Sequence, residues 1–293
     1  MKILISGSTG FIGKHLTEKL LEKNDDVCVV IRPSTDKNSL NKKVRVYVFD
    51  NNVNELISYL KKEQFDGVIH LASLFLAQHK TEDIPELINS NVLLGTALLE
   101  AASKSNVTWF INTGTFWQHY KNKKYSPVNL YAATKQAFES IAQYYIETSS
   151  INFVTIKLSD TFGPLDTRQK ILNLLLKISK TGEKLDMSPG NQLIDISYID
   201  SVIDGYLRMI DLLSKDAKRS MNGKSFVVSS GKPVSLRKLA AIFEKVSNKK
   251  LNINWGGKEY RQREVMVPWG KGVKIPGWKP GVSLEKAIRN TIK

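Results

Sequence analysis

The stretch Lys2-Ile3-Leu4-Ile5-Ser6-Gly7-Ser8-Thr9-Gly10-Phe11-Ile12-Gly13-Lys14-His15-Leu16 decides how the chain folds. Ile3 to Ser6 has the apolar character of a short strand covered on both faces. Gly7, Gly10 and Gly13 follow at three-residue spacing, and Ile12, Leu16, Leu20 and Leu21 then fall at helical spacing over residues 11–23. A strand that runs through such glycines into a helix is a phosphate cradle. Gly7 allows the tight turn, Gly10 lets a diphosphate approach the backbone, and Gly13 lets helix and strand pack closely. Free amides and the helix dipole favour negative charge there. The stretch therefore points to a dinucleotide, held by Gly7, Thr9, Gly10, Phe11, Ile12 and Gly13.

Outward from the loop, the same alternation continues. Strands are expected at residues 27–31, 44–49, 66–71, 108–112 and 153–158, with helices at 54–62, 84–103 and 129–148. Alternating strands and helices imply right-handed crossovers and a sheet covered on both faces. The expected fold is α/β, a doubly wound parallel Rossmann sheet. After about residue 160 the segments shorten and Gly/Pro punctuation rises, as at Gly163-Pro164, Pro189-Gly190 and Gly256-Gly257. Residues 1–160 are expected to form the dinucleotide-binding domain. Residues 161–293 are expected to be mainly a smaller substrate-binding lobe, interleaved with the end of the sheet; the alternative is loops decorating one domain.

Composition narrows the class. The 293 residues carry 43 Lys plus Arg against 28 Asp plus Glu, a net charge of +15, and 42% are hydrophobic. That supports a packed core, yet no run reaches the roughly 18 uncharged apolar residues of a membrane span. The apolar start is too short for a secretory signal, so a cytoplasmic protein without a membrane partner is expected. One cysteine, Cys28, leaves no internal disulfide and no cysteine-based metal site. His15, His70, His79 and His119 lack metal-ligand spacing, and no metal is expected. The basic stretches at 37–45 and 121–124 are interrupted by polar residues and carry no nucleic-acid motif. Such a field suits small anionic ligands rather than nucleic acid.

The second strand ends Val29-Val30-Ile31-Arg32 with no carboxylate. An acidic residue there would take the ribose diol, whereas arginine suits a 2′-phosphate, so NADP(H) is favoured over NAD(H). The alternative is an arginine that merely faces solvent. Asp50, just past the third strand, is either an acceptor for the adenine amino group or a turn residue.

Leu130-Tyr131-Ala132-Ala133-Thr134-Lys135 opens the long helix after the fifth strand. Spacing of i and i+4 puts Tyr131 and Lys135 on one face, where an ammonium is expected to lower the phenol's pKa. Thr115, in Asn112-Thr113-Gly114-Thr115, sits at the carboxyl edge of the sheet, where open α/β folds bind ligands. Together, Thr115, Tyr131 and Lys135 form a candidate catalytic set.

With these residues the chain resembles the extended short-chain dehydrogenase/reductase family, the NAD(P)-dependent nucleotide-sugar epimerases, dehydratases and reductases. The resemblance spans essentially the whole chain and includes Val68-Ile69-His70-Leu71-Ala72, Asn91 with Gly95-Thr96, Phe162-Gly163-Pro164 and residues 195–202. Val234-Ser235-Leu236, residues 261–266 and Gly277-Trp278-Lys279-Pro280 are similar to the CDP-abequose and CDP-paratose synthase group. That group reduces a 4-keto group on a CDP-linked deoxyhexose for surface polysaccharide.

The resemblance implies that Tyr131 donates the proton, Thr115 orients the carbonyl, and Lys135 holds the nicotinamide ribose. It adds cofactor contacts from Asn51, Leu71, Ala72, Ser73 and Asn91, and substrate contacts from Gln118, His119, Gln192 and Arg261. His119 is alternatively a plain loop histidine, and Arg261 a solvated one. A homodimer is implied through residues 84–103 and 129–148, with Tyr144, Tyr145 and Ile146 as surplus apolar surface. Two departures matter. Water-eliminating members carry an Asp-Glu pair directly after the Thr115 equivalent, whereas this chain has Phe116 and Trp117, so dehydration is not expected. The family often has an arginine before the Asp195 equivalent for a substrate phosphate, and this chain has Ile194. The expected activity is NADPH-dependent reduction of a nucleotide-linked sugar. A nucleotide-sugar epimerase and a non-catalytic NADP(H)-binding regulator are the alternatives.

Overall fold

The computed structural model describes residues 1–292. Numbered along the chain, β1 (Lys2–Ser6), β2 (Asp26–Ile31), β3 (Arg45–Val48), β4 (Gly67–His70), β5 (Trp109–Thr115), β6 (Asn152–Leu158) and β11 (Ser225–Val228) form one sheet. Their order is β11-β6-β5-β4-β1-β2-β3, and every pairing is parallel. Strand residues alternate between two cores. Ile3, Ile5, Val27, Val29 and Ile111 pack with α1 (Phe11–Glu22) and α7 (Ile199–Ser214). Leu4, Cys28, Val30, Val68 and Phe110 pack with α2 (Val53–Glu63), α4 (Leu94–Ser103) and α5 (Leu130–Thr148).

The chain order of the strands reverses beside β1, whose neighbours are β2 and β4. Loops leaving the carboxyl ends of β1 and β4 therefore part there and open a crevice. The helix expected over residues 84–103 is not uniform. α3 (Ile84–Ile88) passes through a π turn at Asn89–Leu93 before α4 begins. An extra residue in the turn rotates the helix beyond it, a device frequent beside functional sites.

After β6 come β7 (Asp160–Phe162), α6 (Ile171–Thr181), β8 (Leu185–Met187), β9 (Leu193–Ile194) and β10 (Ile196–Tyr198). α7 then packs on α1, and β11 adds to the sheet beside β6. β12 (Val234–Ser235), α8 (Leu236–Ser247), β13 (Ile253–Trp255) and α9 (Leu284–Ile292) complete the chain. Small pairs β10-β7, β12-β9 and β13-β8 tie these later segments together. Among the described residues, no helix is long and apolar enough to cross a membrane.

Candidate active site

The first wall of the site is the loop between β1 and α1. Gly7 has φ +79°, and a Cβ there would lie 2.5 Å from the Ala72 amide nitrogen. A Cβ on Gly13 would overlap the Gly7 carbonyl oxygen. Only glycine satisfies both positions. α1 begins at Gly10 with no side chain capping it, and Phe11, Ile12 and Gly13 line the adjoining cavity. Its first amides thus face open space where an anion fits.

That cavity, about 300 Å³, is also lined by Thr115, Tyr131 and Lys135. Lys135 is 1% exposed, and its Nζ has no hydrogen-bond partner. Burial lowers its pKa to about 8. An ammonium orphaned beside a glycine cradle fits a ligand rich in hydroxyl and phosphate oxygens. These residues fit a nicotinamide dinucleotide.

Tyr131 corrects one expectation. Burial, reinforced by the Asp160 carboxylate, raises the phenol to about 12, although a Ser73 hydrogen bond and Arg168 oppose the rise. Desolvation is the largest of these influences, and Lys135 is not among them, so the site holds Tyr131 protonated. The Phe75 ring meets Tyr131 edge-on at 5.0 Å. Asn129 caps α5 by accepting the Ala132 amide, and its Nδ2 donates to the Leu76 and Ala77 carbonyls. One side chain thus sets both the start of the Tyr131 helix and the loop that carries Phe75.

Thr115 ends β5 and opens a capping box. Its Oγ1 accepts the Trp117 amide at 3.3 Å, and its own amide donates to Gln118 Oε1 at 2.9 Å. Gln118, expected at the substrate, is turned inward. It is fully buried, and Nε2 donates to Gln136 and Glu139. His119 does line the cavity, but its ring nitrogens are engaged. Lys157 Nζ donates to Nε2 at 3.0 Å, which leaves Nδ1–H for the Lys123 carbonyl at 3.2 Å. Burial and the Lys157 charge lower its pKa and keep the ring neutral. Glu139 Oε2 completes the cluster, 3.1 Å from Lys157 Nζ.

Asn91, expected against the cofactor, lies under the loop after β4 instead. It accepts the Leu74 amide and the Ser73 hydroxyl, and donates to the Leu74 carbonyl and Thr134 Oγ1. Leu71 and Ser73 line the cavity, and Ala72 packs its backbone on Gly7. Thr9 is exposed and outside the lining. Asp50 Oδ1 accepts the Asn52 amide just before α2, and Asn51 adopts φ +78°; neither lines the cavity. Arg32 is exposed, 3.5 Å from Glu86 Oε1 on α3. Gln192 lies in a second, adjoining cavity, and Arg261 lines both.

Several lining residues carried no sequence signal. Trp269 stacks on His119 at 3.8 Å and meets Phe116 edge-on at 5.3 Å. Arg168 lies 4.3 Å from the Phe11 ring centroid and pairs with Asp166 through Nε and Nη2. Lys170 and Asp160 form an ion pair at 3.1 Å. Among the described residues, no cluster of His, Cys, Asp or Glu is arranged to hold a metal ion.

Residues 3–223 match the model of the NAD dependent epimerase/dehydratase family, and the chain belongs to that family. It is an enzyme of the extended short-chain dehydrogenase/reductase type. A CDP-abequose synthase of Salmonella typhimurium is 28% identical across 99% of this chain and 97% of its own length. A second, from Yersinia pseudotuberculosis, is 25% identical across 92% of each. A UDP-glucuronic acid 4-epimerase from Bacillus cereus, solved with UDP-glucuronic acid and NAD, superposes with a TM-score of 0.84 at 22% identity, covering 100% of this chain and 98% of that one. That likeness speaks for the fold alone.

Proposed function

We propose that this enzyme acts on a nucleotide sugar, reducing the 4-keto group of a nucleotide-linked deoxy or dideoxyhexose with NADPH, and that the nucleotide is CDP. The carrying observation is a single cavity lined by the glycine loop, Thr115, Tyr131 and the orphaned Lys135. A nicotinamide dinucleotide bound there supplies the hydride chemistry. Lys135 would hold its ribose hydroxyls. Thr115 would orient the sugar carbonyl oxygen, and the protonated Tyr131 would donate to that oxygen.

A phenol held protonated suits an acid, the role that reduction requires. Phe116 and Trp117 carry no group able to exchange protons, which speaks against dehydration. Exposed Arg32 at the end of β2 supports NADP(H) over NAD(H), and CDP rests on the similarity to the CDP-abequose synthases. In this reading residues 1–160 hold the dinucleotide. Residues 161–293 mainly hold the substrate, with α7 and β11 returning to the sheet.

Mixing enzyme, NADPH and a CDP-4-keto-deoxyhexose tests the reading. Reduction consumes one NADPH per product, and NADPH should outperform NADH. Interconversion of sugars with no net change in cofactor absorbance would mean an epimerase instead.

A further inference from the structure

Strand β6 reads Asn152-Phe153-Val154-Thr155-Ile156-Lys157-Leu158, and every one of these residues is buried. An interior strand of a parallel sheet is ordinarily an apolar run, yet Lys157 stands in this one, 4% exposed. A buried pair of charges gains little over apolar side chains of the same volume, so stability does not account for a lysine here. Its surroundings do.

Lys157 lies directly across the sheet from Gly114, the residue between Thr113 and Thr115 on β5. Its ammonium donates to Glu139 Oε2 at 3.1 Å and to His119 Nε2 at 3.0 Å. Two chains of contact start there. In one, Glu139 Oε1 accepts from Gln118 Nε2 at 2.9 Å, and Gln118 Oε1 accepts the Thr115 amide at 2.9 Å. In the other, the His119 ring is locked between Lys157 and the Lys123 carbonyl, and Trp269 stacks on it at 3.8 Å. Thr115, His119 and Trp269 all line the main cavity, whereas Lys157, Glu139 and Gln118 do not. Gly114 lets the cluster press against β5. A Cβ there would lie 2.9 Å from Gln118 Oε1, 2.9 Å from Lys157 Cγ and 3.0 Å from Glu139 Oε1.

We propose that Lys157 is a positioning residue for the reaction: through Glu139 and Gln118 it fixes the strand end that carries the Thr115 hydroxyl, and through His119 it fixes the Trp269 wall of the same cavity. This rests on the reading above, in which Thr115 orients the sugar carbonyl. Reacting groups are held to a fraction of an ångström only when the side chains behind them are themselves locked by hydrogen bonds. One buried ammonium does this for two walls that come from distant parts of the chain. It also sets the charge of His119. Lys157 from β6 lowers that ring's pKa and Glu139 from α5 raises it, while Lys123 and Lys124 act on it only through their backbone. With Lys157 present, burial and its charge prevail and the ring stays neutral.

Lys157→Met alone strands the Glu139 carboxylate in the interior, so the test uses Lys157→Met together with Glu139→Gln in the full chain. That pair leaves no unpaired charge, and the new amide oxygen still accepts from Gln118. With NADPH and a CDP-4-keto-deoxyhexose, the double variant should lose about ten- to a hundredfold in kcat, the scale of a small misplacement at a reacting group. The KM for NADPH should change much less. In a Thr115→Val background the same two substitutions should add little, because they act through Thr115. In an NMR titration without substrate, the imidazole resonance missing from His119→Phe should titrate at higher pH in the double variant than in wild type. A double variant with wild-type circular dichroism and undiminished kcat overturns the proposal, as does an equal loss in the Thr115→Val background. An unmoved His119 resonance overturns the link to His119. If wild type does not reduce the sugar, the functional reading fails, and the titration still decides whether Lys157 governs His119.

Discussion

Lys135 is a buried ammonium with nothing to bond, and that frustration makes it sensitive to pH. Its pKa falls from the ordinary lysine value of 10.5 to about 8 because burial disfavours the charge. Below pH 8 the folded and unfolded states both carry the proton, and the burial penalty is present in full. Between about 8 and 10.5 the folded state gives up the proton first, so this group's contribution to stability rises with pH. A dinucleotide whose oxygens accept from the ammonium binds the protonated form better. Dinucleotide affinity, followed by fluorescence titration, should therefore fall as pH climbs through about 8. Lys135→Met should bind more weakly at neutral pH and show no such decline. A decline that persists in Lys135→Met would assign it to another group. Tyr131 sits at the other limit, with a phenol at about 12 that stays protonated across the working range. Tyr131→Phe should lose about 10²–10⁴-fold in kcat, the usual span for a general acid, while keeping dinucleotide binding. Near-normal turnover of Tyr131→Phe would remove the proton donor from the scheme.

Among the elements, the turn from strand to helix at Gly7 to Gly13 and the Tyr131/Lys135 face were legible because each is local, a few residues with one geometric consequence. Thr115 was legible through its place at the end of a strand. Asn91 and Gln118 were misplaced for a shared reason. An amide side chain serves backbone or ligand equally well, and only packing shows that Asn91 props the loop at Ser73 and Leu74 while Gln118 closes a capping box. The π turn at Asn89–Leu93 carries no periodic mark in the sequence. Lys170, Arg168 and Trp269 reach the cavity from segments that only the tertiary fold brings together. Asn129 is the element-scale test. Asn129→Ala removes the α5 cap and the tether to Leu76 and Ala77, so it should cost about 1 kcal/mol of stability. It should also loosen Phe75 against Tyr131, lowering kcat more than a cap alone explains. Denaturant melts and kinetics together would show whether one side chain carries both roles.

At the scale of the whole molecule, the unexplained surface lies along the helices flanking β4 and β5. Ile84, Ile88 and Leu93, from α3 and the π turn, are 40%, 42% and 48% exposed, and Tyr144 on α5 is 64% exposed. α3 and the π turn both pack against α5, so these side chains sit on neighbouring elements. Tyr145, expected on the same surface, belongs instead to the core with Phe138 and Phe153. One of two adjacent tyrosines therefore faces out, as helical rotation of about 100° per residue requires. An apolar face built from two elements is more than scattered exposure and fits burial against a second copy of itself. Sedimentation should find a dimer for the wild type. Ile88→Glu with Tyr144→Glu should yield monomer, with far-ultraviolet circular dichroism unchanged because neither side chain is buried in the protomer. Neither residue lines the cavity, so the dissociated form should keep its dinucleotide affinity. A wild type that sediments as a monomer at all concentrations would leave this face to another partner.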